Sequence, residues 1–202
     1  DIRGTPGGSV GGYILRLSYE GIYETHHVFT GSEEAENTAE VRSLAPDDDG
    51  LIVAGLFTGT VDFDPSDEGI HELTATGETG LFILRLDGEG GLDWAVGLDG
   101  ESSIELHSMR LANDQIYLAG GFEGTVDLDP SDGVQITTSA GGLDAFVLTL
   151  DDTSGSLAQA VVFGDIGADS AQAIDVDSSG HVYVSGAFSE SIIVEEQSLD
   201  SV

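Results

Sequence analysis

The sequence contains no cysteine and no lysine, and these absences set the first limits on its chemistry. Among 202 residues there are only five basic side chains, all of them arginine, against 38 acidic ones. Without cysteine the chain has no disulfide framework, no thiol nucleophile and no thiolate metal site. With so few cations its surface repels phosphate groups, so we predict neither nucleic acids nor anionic membranes as partners.

Long apolar segments are also absent. The longest runs, such as LIVAGLF at 51–57, fall far short of the roughly 18 residues that a membrane-spanning helix needs, so we predict no membrane insertion. Proline is scarce, with four residues, whereas glycine is abundant, with 29. A hydrophobic fraction of 40% completes a composition typical of a turn-rich globular protein. The start at Asp1 is compatible with a removed leader or with a section of a longer protein.

The formal net charge of −33 is extreme for a chain of this length. Self-repulsion of this size opposes folding unless salt shortens its range to about 10 Å or less, or bound cations neutralise it. A saline habitat or a calcium-bearing extracellular space would meet that condition. The lysine-free surface favours the first, so we predict a salt-adapted, halophilic protein.

The chain repeats itself. The acidic phrase GTVDFDPSDEG at 59–69 returns as GTVDLDPSDG at 124–133, so that Asp62 and Asp127 are 65 residues apart. Each repeat contains short segments rich in Val, Ile, Phe, Tyr and Thr between clusters of Gly, Asp, Asn and Ser, which indicates strands and hairpin turns. Helical periodicity is not sustained anywhere.

One repeat supplies about four strands, a sheet that must stack on copies of itself to bury both faces. We therefore predict one all-β domain over 1–202, made of about three four-stranded antiparallel blades. A Gly-rich lead-in occupies 1–11, blade boundaries fall near 40, 104 and 170, and the first blade is divided between the two ends of the chain. Radial stacking would give a β-propeller or part of one, and linear stacking a solenoid.

Three phrases carry a resemblance to a known family. They are GLFILRLDGEGGLDWA at 80–95, IDVDSSGHVYVSGAF at 174–188 and GTVDFDP at 59–65. Together they resemble the bacterial β-propeller repeat family of secreted and surface proteins, over nearly the whole chain apart from the lead-in. The resemblance implies a propeller fold and an extracellular or cell-surface location, and it implies no catalytic residues.

The acidic phrases are candidate calcium sites. Asp62 and Asp64 stand at i and i+2, as do Asp127 and Asp129, so on an extended strand each pair points to one side. Such carboxylates, followed by turn residues with free carbonyls, are oxygen ligands of the kind Ca²⁺ binds. Asp175 and Asp177 reproduce the first half of a calcium-loop spacing and complete the predicted metal set. The alternative interpretation is that these aspartates end strands and start tight turns.

Aromatic residues recur at two positions of the repeat. One position holds Phe57, Phe122 and Phe188, and the other holds Tyr13, Phe82 and Phe146. A row of aromatics can bind sugars, but repeated aromatics between stacked sheets fill the core, which is our prediction.

These observations predict a non-catalytic recognition or adhesion module outside the cell, acidic and calcium-stabilised, with a protein or glycan ligand. One alternative is a structural subunit that joins other copies of itself into a homo-oligomer, ring or filament through unpaired blade edges. The other is a propeller-type enzyme such as a glycan hydrolase or lyase. It ranks last because the repeat positions contain no asymmetric set of nucleophile, base and oxyanion donor.

Overall fold

The computed structural model describes residues 10–31, 37–47, 49–66, 69–131, 133–194 and 197–200. Residues 1–9 of the predicted lead-in, and Asp67 and Asp132 of the acidic phrases, lie outside this part. No helix occurs among the described residues, and accordingly none that is long and apolar enough to span a membrane.

The described chain forms eighteen strands. In chain order they are β1 Gly12–Leu17, β2 Tyr23–Gly31, β3 Thr38–Pro46, β4 Gly50–Thr58, β5 Thr60–Asp62, β6 Glu72–Thr74, β7 Gly80–Asp87, β8 Leu92–Leu98, β9 Ile104–Ala112, β10 Gln115–Phe122, β11 Thr125–Asp127, β12 Ile136–Thr138, β13 Asp144–Asp151, β14 Leu157–Phe163, β15 Ser170–Val176, β16 Val182–Ala187, β17 Ser191–Val194 and β18 Gln197–Asp200.

Two complete antiparallel sheets lie in the middle of the chain. Sheet 1 has the strand order β3-β4-β7-β8, and sheet 2 has the equivalent order β9-β10-β13-β14. The prediction of an all-β chain with four-stranded antiparallel sheets is therefore confirmed. On either side lie two shorter pairings, the N-terminal half-sheet β1-β2 and the C-terminal half-sheet β15-β16.

A short hairpin interrupts each repeat between its second and third strands. The hairpin β5-β6 does not extend its own sheet, because β5 pairs instead with β2 of the preceding half-sheet, with Thr30 opposite Asp62. The hairpin β11-β12 reaches the end of β8 through a bridge between Gly100 and Val126. Each acidic phrase thus begins in a hairpin that fastens one repeat to the sheet before it.

Three hydrophobic cores separate the four layers of sheet. The inner strands β7 and β13 are buried on both faces because each face of sheets 1 and 2 packs on a neighbour. The core between the N-terminal half-sheet and sheet 1 contains four phenylalanines in ring contact, Phe29, Phe57, Phe63 and Phe82. The second core joins sheets 1 and 2, and the third, smaller one joins sheet 2 to the C-terminal half-sheet.

Glycine and phenylalanine pair across the second and third strands of each complete sheet. Gly55 lies opposite Phe82, and Gly120 lies opposite Phe146. A Cβ atom on Gly120 would stand 1.9 Å from the carbonyl oxygen of Glu105 and 2.7 Å from the Phe146 ring. Only a residue without a side chain leaves room there for both the neighbouring strand and the ring.

The core prediction holds for four of the six recurring aromatics. Phe57, Phe82, Phe122 and Phe146 are buried. Tyr13 and Phe188, which belong to the two half-sheets, are 65% and 37% exposed. They differ because, among the described residues, no further sheet packs on the outer face of β1 and no third strand pairs with β16, whereas Phe82 and Phe146 each face the core shared with the preceding sheet.

Candidate functional site

The first acidic phrase is closed by its own aspartates. β5 ends at Asp62, so Asp64 lies in the loop and not on the strand, contrary to the extended pairing expected from the i and i+2 spacing. Oδ1 of Asp62 accepts hydrogen bonds from the backbone N–H of Asp64 at 3.0 Å and of His71 at 2.8 Å. One carboxylate therefore ties together the two ends of the loop, as the turn interpretation predicts.

The second acidic phrase repeats this arrangement. Oδ1 of Asp127 accepts from the N–H of Asp129 at 3.1 Å and of Gln135 at 2.7 Å. Oδ1 of Asp129 accepts from the backbone N–H of Ser131 at 3.0 Å, as Asp64 does from Ser66 at 2.8 Å. The recurrence shows that the sequence of the phrase encodes this hydrogen-bonded loop.

The third predicted pair is divided between two partners. Asp175 lies on β15 and forms an ion pair with Arg110 of β9, at 3.2 Å between Oδ1 and Nε. Asp177 follows the strand and accepts from the N–H groups of Ser179 and His181, at 2.8 and 2.9 Å, in the turn before β16. These two carboxylates thus act separately, one between neighbouring sheets and one within a turn.

Hydrogen bonding lowers the pKa of several of these carboxyl groups. The Ser66 side chain and its backbone N–H lower the pKa of Asp64, and the backbone N–H of His181 lowers that of Asp177. Both groups stabilise the fold at pH values above the unfolded pKa of about 3.9. That contribution is lost as pH falls through their lower folded values.

Calcium binding by Asp62, Asp64, Asp127, Asp129, Asp175 and Asp177 stays a prediction. Across the described residues, no three His, Asp or Glu side chains are grouped so as to hold a metal ion. In the two acidic hairpins, moreover, Oδ1 of each aspartate already accepts backbone N–H groups. A cation at either hairpin would therefore have to bind the other carboxylate oxygens of these aspartates and the backbone carbonyl oxygens of the loop.

Replacing both Asp62 and Asp127 with alanine distinguishes hydrogen bonding within the loops from calcium binding as the role of these aspartates. Because each change leaves two backbone N–H groups without their acceptor, we expect a loss of about 1–2 kcal/mol per site. The loss should be the same with calcium and with chelator, in thermal melts at fixed high salt. Glu123→Ala, which removes an exposed carboxylate beside the second hairpin, is the control for charge alone. Destabilisation that appears only with calcium would assign the acidic phrases to metal binding.

The same two hairpin loops expose an aliphatic side chain. Ile70 directly precedes His71 and is 78% exposed, and Val134 directly precedes Gln135 and is 71% exposed. Ile70 and Val134 occupy equivalent positions of the repeat, because in each loop the backbone N–H of the following residue donates to the first aspartate of the acidic phrase. Each loop therefore presents an aliphatic group beside fixed carboxylates.

A group of buried acids was not anticipated from the sequence. Asp144 and Asp169 are 4% and 1% exposed, and Oδ1 of Asp144 has no hydrogen-bond partner among the described residues. Burial raises the pKa of Asp144, and the nearby charges of Asp169 and Asp165 raise it further. Asp169 accepts N–H groups of Asp165 and Ser189, which fixes the loop before β15. One feature of the sequence could have indicated this buried acid: Asp144 occupies the position that Gly80 holds in the preceding repeat.

No family model matches the chain, and a search of curated proteins finds no significant match.

Proposed function

We propose that this chain is a non-catalytic, extracellular or cell-surface module of the β-propeller repeat type that recognises a protein or glycan ligand through its acidic hairpins. The observation that carries the proposal is the repeated end of the loop, just before the second hairpin strand, where Ile70 and Val134 are exposed at one position beside carboxylates that accept backbone N–H groups. Single exposed aliphatic side chains are common on protein surfaces; it is their recurrence at one position of the repeat, in loops of the same hydrogen-bonded form, that favours a role in contact with a partner.

The fixed loop supports this role energetically. The hydrogen bonds of Asp62 and Asp64 hold the first loop before any partner arrives. A partner therefore does not have to order these described ends of the loop on binding, which lowers the entropic cost of association. The surrounding negative charge favours a partner that carries cations at its rim.

The test is a binding screen with the double variant Ile70→Ser and Val134→Ser. The intact chain would be presented to a panel of soluble polysaccharides and cationic peptides, in salt high enough to suppress non-specific charge attraction. We expect the double variant to lose at least about tenfold in affinity for any member that binds, since two buried aliphatic contacts are each worth about 1 kcal/mol or more. Ile166→Ser, at another exposed isoleucine, is the matched control. A binder that is equally insensitive to both variants would contradict the proposal.

A second candidate function is that of a structural subunit that associates with copies of itself. The observation that favours it is a pair of strand edges that have no partner among the described residues, on β1 in the N-terminal half-sheet and on β16 in the C-terminal half-sheet. Open edges of this kind are templates for pairing with another chain.

A further inference from the structure

The C-terminal half-sheet ends in an open strand. Within the part of the chain that the structure describes, β16 pairs with β15 on one side only, whereas its counterparts β4 and β10 also pair on the other side with third strands, β7 and β13. All six residues of β16 are exposed, including Tyr183 at 61% and Val184 at 38%. The missing neighbour of β16 is thus a strand of the β7 and β13 type.

The N-terminal half-sheet offers such a strand. β1 reads GYILRL, close to LFILRL in β7, yet β2 is its only strand partner among the described residues. Ile14, on one face of β1, is buried against sheet 1, as Ile83 of β7 is buried against sheet 2. On the other face Tyr13, Leu15 and Leu17 are 65%, 43% and 52% exposed. As far as residues 10–200 are described, β1 therefore has a free edge and an uncovered apolar face.

An apolar groove of about 470 Å³ lies beside β16. Its walls include Val147, Val161 and Phe163 of sheet 2 together with Val184 and Gly186 of β16. The corresponding residues of sheet 1 pack against the apolar face of the third strand β13. They are Ile83, Val96 and Leu98, and they share one core with Phe146, Leu148 and Leu150. The groove thus occupies the place that a third strand fills between sheets 1 and 2.

We propose that β1 of a second copy of this chain pairs antiparallel with β16, so that the two half-sheets complete a four-stranded sheet with the order β15-β16-β1-β2. The register follows from the complete sheets, where Gly55 faces Phe82 and Gly120 faces Phe146. The same register sets Gly186 opposite Tyr13, Val184 opposite Leu15 and Val182 opposite Leu17. Tyr13, Leu15 and Leu17 then enter the groove, because alternate residues of a strand share one face.

Within the described residues β1 cannot pair with β16 of its own chain, because the two edges lie at opposite ends of the stack of sheets. The match of β1 to the third strand β7 is what favours a second copy as the occupant. The core clusters place the layers in the order N-terminal half-sheet, sheet 1, sheet 2, C-terminal half-sheet. Two copies joined at both pairs of edges would contain six sheets, within the range of about four to eight found in closed rings of such sheets. Each copy carries a formal charge of −33, so the pairing requires salt that screens their repulsion.

Cysteine-specific cross-linking tests the register, because the chain has no other thiol. Val184→Cys and Leu15→Cys would be made as separate single variants and mixed at high salt, so that any joined product links two molecules by construction. Both positions are exposed, and circular dichroism of each variant confirms that its strands remain. Val184→Cys mixed with Tyr19→Cys, at a fully exposed turn residue four positions beyond Leu15, is the control.

We expect about tenfold more cross-linked product from Val184→Cys mixed with Leu15→Cys than from Val184→Cys mixed with Tyr19→Cys. Residues directly opposite each other in a sheet have Cβ atoms within about 5.5 Å, whereas a cysteine four positions further along the chain lies about 13 Å further away. Adding Tyr13→Ala to the Leu15→Cys chain should reduce the yield, since it removes the ring expected over Gly186. No joined product, or equal yields from the two mixtures, would overturn the proposal. The inference rests on the second candidate function alone; ligand binding by the hairpin loops is measured independently and can fail or succeed without it.

Discussion

Replacing Gly120 with alanine is expected to destabilise the protein by about 3 kcal/mol or more, since overpacking against fixed neighbours costs about 1–3 kcal/mol and here one neighbour is backbone. The new Cβ would meet the carbonyl oxygen of Glu105 at 1.9 Å and the ring of Phe146 at 2.7 Å. The ring lies in the core between sheets 1 and 2, and Glu105 is on the paired strand β9, so neither can retreat without disturbing a sheet.

Chemical denaturation of the variant and of Gly88→Ala would measure this cost. At Gly88 the nearest atom to an added Cβ is the backbone oxygen of Asp49 at 3.4 Å, an ordinary contact. The control should therefore change the free energy of unfolding by less than about 0.5 kcal/mol. Similar effects for the two variants would show that β10 does not pack against β9 and Phe146 as described.

Phe82→Ala is expected to cost about 3–5 kcal/mol, the range for truncating a buried phenylalanine. The Phe82 side chain is fully buried, and its ring centroid lies 4.4 Å from that of Phe63 and 6.2 Å from that of Phe29. These rings come from three different strands or loops, so the cavity would open between the N-terminal half-sheet and sheet 1. Rigid neighbours on both sides limit its collapse.

For a chain of this size, the loss corresponds to a fall of about 6–20 °C in melting temperature. Tyr19→Ala provides the contrast, because Tyr19 is fully exposed and its removal should shift the melting temperature by no more than about 2 °C. A Phe82→Ala variant that melts like the parent would contradict the packing of the four-phenylalanine core.

Local patterns in the sequence were sufficient to predict the sheets. Segments such as LIVAGLF and DAFVLTL have the composition and turn boundaries of strands, and β4 and β13 lie on them. The recurring aromatics were predicted as core because sheets built by repetition must bury their faces on one another, and Phe82 and Phe146 are fully buried.

Other features depend on contacts that no local pattern contains. The hairpin β5-β6 pairs with β2 through Thr30 and Asp62, which are distant in sequence, so the attachment of each repeat to the preceding sheet was not predicted. In a chain with 38 acidic residues, nothing local distinguishes a buried acid such as Asp144 from an exposed one. The exposure of Tyr13 likewise depends on whether another sheet packs on the outer face of β1, not on the residue itself.

The spacing of the aspartates in the acidic hairpins is compatible with both calcium binding and a hydrogen-bonded turn. The i and i+2 aspartates suit a cation if the strand continues, and they suit a turn if the first aspartate bends back to the backbone. The strands end at Asp62 and Asp127, and both aspartates accept the N–H two residues later. The loops are thereby fixed at the positions where Ile70 and Val134 are exposed, which links the turn chemistry to the proposed recognition surface.

The mass of the chain in solution, measured by light scattering at high salt with calcium and then with chelator, distinguishes pairing of the half-sheets from association through calcium. If β1 of one copy completes the sheet of β16 in another, and if the acidic hairpins hold themselves by hydrogen bonds, the mass will be twice the 20.9 kDa of one chain in both conditions. A mass of one chain in both conditions would contradict the pairing of the half-sheets. A double mass that is lost with chelator would contradict the hydrogen-bonded account and assign the association to calcium.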